Sequence, residues 1–328
     1  MFLALLLTAC EDQVEYHRLN GLTMGTSYQV TLQIEPQRLE SIKQYIDQKL
    51  EKINGRMSTY LPNSEISLFN RTHKNDCQKV SSDTFQVVKT SLRISKETDG
   101  AFDITLDPVI EEWGFDRKFT HHQIPSQLTI DRLLSEVGYQ KLSLGEQCIK
   151  KEHLQLSINL SAIAKGFGVD EIAILLQQQG IENYLVEIGG ETASKGINPF
   201  GKSWRLAIES PIEKLRAIQK IFLPLGLGVA TSGDYRNYFE KNDIRYSHTI
   251  DPNTGRPIVH NLVSVTVLHK STMIADAYAT ALLVMGKDKA LEFAKKHKLA
   301  VYLLIKKDQH FVENYSDRFK KHLLGKED

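Results

Sequence analysis

Asp276 and Thr280 stand four residues apart in Asp276-Ala277-Tyr278-Ala279-Thr280, inside a stretch whose small and apolar residues predict a helix from about Thr272 to Met285. At i and i+4 on a helix, both side chains leave the same face. The neighbours are Ala, Tyr, Leu, Val and Met, which predicts that the carboxylate is at least partly buried. A buried carboxylate is costly unless it is paired or bound to a cation. Carboxylate plus hydroxyl is a hard oxygen pair suited to Mg²⁺, with waters and substrate phosphates completing the octahedron. A Lys partner for Asp276, or a turn that it caps, is the structural alternative.

A second stretch is built the same way. Asn159-Leu160-Ser161-Ala162-Ile163-Ala164-Lys165-Gly166-Phe167-Gly168 reads as the end of a strand entering a helix, with Ser161 as its cap. Free amides at a helix N-terminus favour anions, so phosphate suits this position with Lys165 as counter-charge. The order of a Walker motif is missing, and a capped structural helix accounts for the same residues.

Other residues offer polar or aromatic groups. Thr231-Ser232-Gly233-Asp234-Tyr235-Arg236 follows a strand and can hold phosphate or a carbonyl group. His248, in Ser247-His248-Thr249-Ile250-Asp251-Pro252, lies beside a turn, where an imidazole can exchange protons near neutral pH. Ala101-Phe102-Asp103 and Tyr60 can supply an aromatic wall and an acceptor for a planar ring, although aromatics serve cores more often.

The elements that must position these groups are legible in outline. Ser27–Ile34 alternates like a half-buried strand. Pro36 opens a helix stopped by Gly55, with Ile42, Tyr45, Ile46, Leu50 and Ile53 on one face. The stretches 57–60 and 63–66 read as loop, a helix capped by Ser81 or Ser82 runs to Gly100, and 115–125 reads as an excursion loop. Short strands are expected near Leu142, Ile149 and 154–158, then a helix from Ser161 to Gly180 and a strand 184–188 closed by Gly189-Gly190. Strands joined by turns fill 204–229. Strands 246–250 and 262–268 flank the turn 251–257, and helices 272–285 and 287–297 and a strand 300–305 complete the chain. The class is α+β, mixed sheets packed with helices in one unit of two intertwined halves.

The chain has 328 residues, 41% hydrophobic and 25% charged, with a net charge of +1. A core of that size is ample, and the near-neutral balance argues against nucleic acid as partner. Met1-Phe2-Leu3-Ala4-Leu5-Leu6-Leu7 followed by Thr8-Ala9-Cys10 reads as an export signal over residues 1–9, too short to span a membrane. Leu7-Thr8-Ala9-Cys10 matches the bacterial lipobox, which makes Cys10 the lipidated first residue of the mature chain, followed by a tether over 10–20 and the functional domain over 21–328. Cys77 and Cys148 lack metal-ligand spacing and are read as structural, with a disulfide between them the less favoured alternative.

Met24-Gly25-Thr26, Met57-Ser58-Thr59-Tyr60, Gly100-Ala101-Phe102-Asp103, Asn159 to Gly168, and Val186-Glu187-Ile188-Gly189-Gly190-Glu191 occur in one order. Ala230 to Tyr235, Ser247 to Pro252, and Ala275 to Leu282 continue it. In this order the chain resembles the ApbE family of bacterial FAD:protein FMN transferases, from about Leu22 to Ile305. The resemblance implies a T-fold-like architecture and a reaction in which FAD is split at its pyrophosphate. FMN passes to a Thr or Ser hydroxyl of an exported target protein, and AMP is released. It also implies Mg²⁺ held by Asp276, Thr280 and the Ala162 carbonyl. Met24, Tyr60, Ala101, Phe102, Asp103, Asn159, Lys165, Ser232 and Ile250 fall on FAD-contacting positions, with His248 to activate the acceptor hydroxyl. Many members carry Asp where Asn159 stands. The acceptors implied are domains of membrane electron-transfer complexes, such as sodium-pumping NADH:quinone oxidoreductases, reached from a lipid anchor on the periplasmic face of the inner membrane. Two other outcomes fit the same residues: an FAD pyrophosphatase, with water as nucleophile, and a flavin-binding lipoprotein without catalysis.

Overall fold

A computed structural model describes residues 14–72, 76–115, 124–211, 218–234, 238–241, 244–308 and 310–324. Residues 1–9 and Cys10 lie outside the described residues, as do Tyr235, Arg236 and most of the expected excursion loop.

The described chain opens with a hairpin, β1 (Glu15–Thr23) and β2 (Thr26–Ile34). Helices α1 (Leu39–Met57), α2 (Glu65–Arg71) and α3 (Ser82–Glu97) follow, with the two-residue β3 (Gln78–Lys79) between the last two. Next come α4 (Asp107–Glu112), α5 (Gln127–Glu136), β4 (Leu142–Leu144) and β5 (Cys148–Lys151). α6 (Ala164–Gln178) leads into the hairpin β6 (Tyr184–Ile188) and β7 (Glu191–Lys195). Seven short strands then run in sequence: β8 (Leu206–Glu209), β9 (Ile218–Phe222), β10 (Gly228–Gly233), β11 (Tyr238–Lys241), β12 (Ile244–Ser247), β13 (Ile250–Asp251) and β14 (Arg256–Pro257). β15 (Leu262–His269), α7 (Thr272–Met285), α8 (Lys287–Lys296), β16 (Ala300–Lys307) and β17 (His310–Tyr315) complete the fold.

One eight-stranded sheet, in the order β1-β2-β6-β7-β10-β15-β16-β17, organises the molecule, and its named pairings are antiparallel. The α+β class stands. α1 and α6 cover one part of the sheet, burying Ile42, Ile46 and Leu50 with Val169, Ile172 and Leu176. α7 packs on β10 and β15, burying Ala275, Ala277, Ala279 and Leu282 in a second, larger core. Met24 packs against both cores. With Gly25 it forms the two-residue β1–β2 turn at φ of 50° and 74°, a left-handed pair that the twist of a tight hairpin demands.

Several local expectations change. β1 starts at Glu15 and pairs residue by residue with β2, so the segment read as a tether joins the sheet from there on. α2 is a helix where 63–66 read as loop, capped by Ser64, whose side chain accepts from the Ser67 amide. α1 runs through Gly55 to Met57, and Tyr45 is exposed. Residues 154–158 form no strand. Buried Lys151 organises them instead, its ammonium donating to the carbonyls of Asn70, Leu154 and Leu156 at 3.0, 2.8 and 3.2 Å. Cys77 and Cys148 are joined by a disulfide, with Cα atoms 5.4 Å apart. The pairing of β3 with β5, Lys79 opposite Cys148, brings them together, a contact across 71 residues that local pattern does not reveal. Among the described residues no helix is long and apolar enough to cross a membrane.

Candidate functional site

Two helices meet at the first part of the site. Gly166, near the start of α6, lies so close to α7 that a Cβ there would sit 2.4 Å from the Thr272 carbonyl oxygen. Asp170, one turn further on, accepts from Ser271 Oγ at 2.7 Å and from the amides of Thr272 and Met273 at 2.7 and 3.1 Å. A carboxylate at these free amides fixes the N-terminus of α7 on α6.

That docking aims Asp276. It is 3% exposed, and its Oδ2 accepts from the Gly166 amide at 3.0 Å. Oδ1 lies 4.0 Å from Lys165 Nζ, beyond hydrogen-bonding range. Lys165 turns instead to Glu191, the first residue of β7, at 2.7 Å. The other Glu191 oxygen is buried without a partner. Burial pushes the Asp276 carboxyl above its usual range, against the pull of Lys165 and the Gly166 amide. Burial pushes Glu191 up to about 7, although Lys165 opposes the shift. Burial also works against the Lys165 ammonium, but the two carboxylates prevail and hold it above its ordinary range. With both carboxylates ionised, two negative charges share one positive charge.

Ser232, on β10, approaches α7 one turn further along, its hydroxyl 3.0 Å from that of Thr280. Ala162 is half-buried just before α6. Ser161 does not cap that helix: it is exposed, α6 begins at Ala164, and no side chain caps it. Among the described residues no group of three or more His, Cys, Asp or Glu side chains gathers as metal ligands. A cation held at Asp276 would draw its remaining ligands from hydroxyls, backbone carbonyls and water. Asp276 Oδ1, which has only the long ion pair to Lys165, the Thr280 hydroxyl and a backbone carbonyl are donor types that suit a hard cation such as Mg²⁺, which takes few protein ligands and keeps waters.

The second part is a cleft of about 460 Å³ lined by Tyr60, Asn70, Arg71, Asp107, Phe115 and Asn159, among others. That volume is in the range of small-molecule sites. Asn159 links the two parts: its amide nitrogen donates to Asp107 Oδ1 at 2.5 Å, and its Oδ1 accepts from the Ser161 amide at 2.9 Å. The chain then passes through Ala162 to Lys165. Burial raises the Asp107 carboxyl, and the Asn159 bond opposes it. The His248 ring stands edge-on to Phe115, centroids 6.4 Å apart, and Ile250 is buried in the cluster that contains Phe115.

Met24 reaches the first part from the hairpin turn, since a Cβ on Gly168 would meet Met24 Cε at 2.9 Å. Ala101, Phe102 and Asp103 do not line the cleft. Ala101 and Phe102 are buried in the main core. Asp103 holds backbone, accepting from the Thr105 amide and hydroxyl and from the Tyr139 amide at 2.8, 2.7 and 2.8 Å. From the sequence, Glu191 is named only within a motif, and no site role falls to it, to Asp170 or to Asp107. Glu191 had a signal, a lone carboxylate directly after the Gly189-Gly190 turn. Asp170 and Asp107 act through partners 101 and 52 residues away, and nothing local marks them.

The family model described as "ApbE family" matches residues 24–303. A Vibrio cholerae protein named FAD:protein FMN transferase is 43% identical, covering 96% of this chain and 95% of its own length. The solved flavin transferase ApbE from Vibrio cholerae superposes with a TM-score of 0.88 at 40% identity, over 94% of this chain and all of that one. The apo flavinyl transferase ApbE of Pseudomonas stutzeri gives 0.87 at 35% identity, over 95% of this chain and 98% of its own.

Proposed function

The chain belongs to the ApbE family, and we propose that it transfers FMN from FAD to a Thr or Ser hydroxyl of an exported protein, with Mg²⁺ at Asp276. FMN transfer from FAD is the activity named for its relatives over nearly their whole length. The observation that carries the extension to Mg²⁺ is the buried Asp276 carboxylate, whose Oδ1 has only a long ion pair at 4.0 Å to a Lys that Glu191 holds more closely, at 2.7 Å.

In this reading FAD lies along the cleft from Tyr60 and Asn159, with its pyrophosphate towards Lys165. The acceptor oxygen attacks the FMN-side phosphorus, the P–O bond to the AMP portion breaks, and AMP leaves. His248 takes the hydroxyl proton, which a neutral hydroxyl must lose to become a competent nucleophile. Lys165 supplies fixed positive charge to the phosphates, while Ser232 on β10 and Thr280 on α7 set two hydroxyls side by side. Mg²⁺, held by Asp276, Thr280 and the Ala162 carbonyl, would neutralise pyrophosphate charge and favour the AMP leaving group. Asn159 keeps the hydrogen bond to Asp107 that joins cleft and helix but brings no charge of its own.

We place the protein at a bacterial membrane, lipidated at Cys10 and facing the periplasm, where acceptor domains of electron-transfer complexes are exposed. The Cys77–Cys148 disulfide supports an oxidising compartment.

The test is mass spectrometry of an acceptor domain incubated with the protein, FAD and Mg²⁺. The expected result is a gain of one FMN on a Thr or Ser, lost with EDTA, together with AMP. AMP and free FMN regardless of acceptor would make the protein a pyrophosphatase. Bound, intact FAD would make it a carrier.

A further inference from the structure

Beyond β7 the chain makes a tight turn that presents an apolar side chain to solvent. Ile197 and Ser203 pair as a bridge, and Asn198 locks what lies between them. Its Oδ1 accepts from the amides of Phe200 and Lys202 at 2.9 and 3.1 Å, and its side-chain nitrogen donates to the Ser203 carbonyl at 3.0 Å. Its own amide and carbonyl close the turn on Lys202 and Gly201 at 2.7 and 2.9 Å. The residues at the tip are Pro199 and Phe200, and Phe200 is 85% exposed. Ile197 beside it is 45% exposed, and Lys202 adds an exposed cation. An aromatic on a rigid, hydrogen-bonded tip is suited to a water–lipid boundary.

The position of the turn names the surface it meets. The Tyr16 hydroxyl donates to the Ile197 carbonyl at 2.7 Å, and the Tyr16 ring meets Trp204 edge-on at 6.3 Å. Cys10 precedes Glu15, the first residue of β1, by five residues, which reach at most about 18 Å when extended. We propose that the turn 197–202 seats the protein on the membrane, with Phe200 and Ile197 entering the headgroup–acyl boundary beside the lipid on Cys10 and Lys202 meeting anionic headgroups. This rests on the reading of Cys10 as a lipid anchor. β1 then rises for nine residues, about 30 Å at the rise of a strand. It ends at the Met24–Gly25 turn against α6, so the reaction site stands away from the bilayer.

The test uses full-length protein, its acylation checked by intact mass, in vesicles of phosphatidylethanolamine and phosphatidylglycerol. With Cys10 acylated and Cys77 paired to Cys148, Ser203→Cys provides a single free thiol for an environment-sensitive fluorophore. Leu22→Cys, at an 88% exposed position near the far end of β1, provides the control. The expected result is a blue shift and quenching by shallow doxyl lipids at 203, none at 22, and loss of the effect when Phe200→Ser is added. An acylated chain whose label at 203 stays unquenched overturns the proposal. So does shielding at 203 that follows protein concentration, the mark of a second copy, or that needs an added acceptor domain. A chain without acyl mass removes anchor and proposal together. FMN transfer in detergent, measured on the same samples, reports the proposed reaction separately.

Discussion

The Gly166 amide donates to Asp276 Oδ2 across 110 residues of sequence, and this bond fixes one oxygen of a buried carboxylate while the other keeps only a long ion pair to Lys165, at 4.0 Å. A charged group and a backbone donor that are both removed from water satisfy each other here. Asp276→Asn can keep the bond, because an amide oxygen also accepts. The variant is expected to melt close to the parent and to lose cation-dependent turnover by on the order of 10²-fold or more, the scale of several kcal/mol of charge stabilisation. Unchanged turnover in a folded variant would remove Asp276 as a cation ligand.

Gly166→Ala tests the approach of the two helices. The atoms nearest the new Cβ would be backbone, the Thr272 carbonyl oxygen at 2.4 Å and the Met273 Cα at 2.8 Å among them, so the clash cannot be relieved by a side chain swinging away. A destabilisation of roughly 1–3 kcal/mol is expected from such overpacking, with a loss of turnover because Asp276 moves with α7. Denaturant unfolding together with the transfer assay checks it. A stable, active Gly166→Ala protein would mean that the helices can separate at no cost to the site.

Glu191 predicts a pH dependence. Its folded pKa is raised from 4.5 to about 7, chiefly by burial. Between those values the folded state holds a proton that the unfolded state has released, so this group makes stability fall as pH rises through the window. Glu191→Gln removes the titration. The parent's unfolding free energy should decline across that window more steeply than the variant's, and parallel curves would show that Glu191 is ionised throughout.

The disulfide between Cys77 and Cys148 closes a separation of 71 residues. Restricting an unfolded loop of that length typically stabilises the native chain by about 2–4 kcal/mol. Denaturation midpoints with and without reductant, and for Cys77→Ser, should differ accordingly. Equal midpoints would show that the covalent link adds nothing to the β3–β5 pairing.

What was legible in the sequence followed from periodicity and from local turn chemistry. The α7 boundaries at Thr272 and Met285 match the predicted helix, and Gly189-Gly190 closes β6 as expected, with both residues at positive φ. Asp276 and Thr280 stand out in the sequence because two polar groups interrupt an apolar helix. What escaped depends on meetings between distant segments. The burial of Glu191 against Lys165 requires β7 to pack on α6, and the capping of α7 by Asp170 requires the α6–α7 crossing. α4, at six residues, is too short for a clear period, and 154–158 looks like a strand until Lys151 is seen to take two of its carbonyls.

That double tie between α6 and α7, Asp170 at one helix start and Gly166 with Asp276 a turn later, has a consequence for motion. Neither helix can leave without stranding the donors or acceptors of the other. The two should therefore open to solvent as one cooperative unit, and their amides should share a single exchange free energy. A ligand that engages Asp276 would raise that shared value along both helices, including residues it never touches.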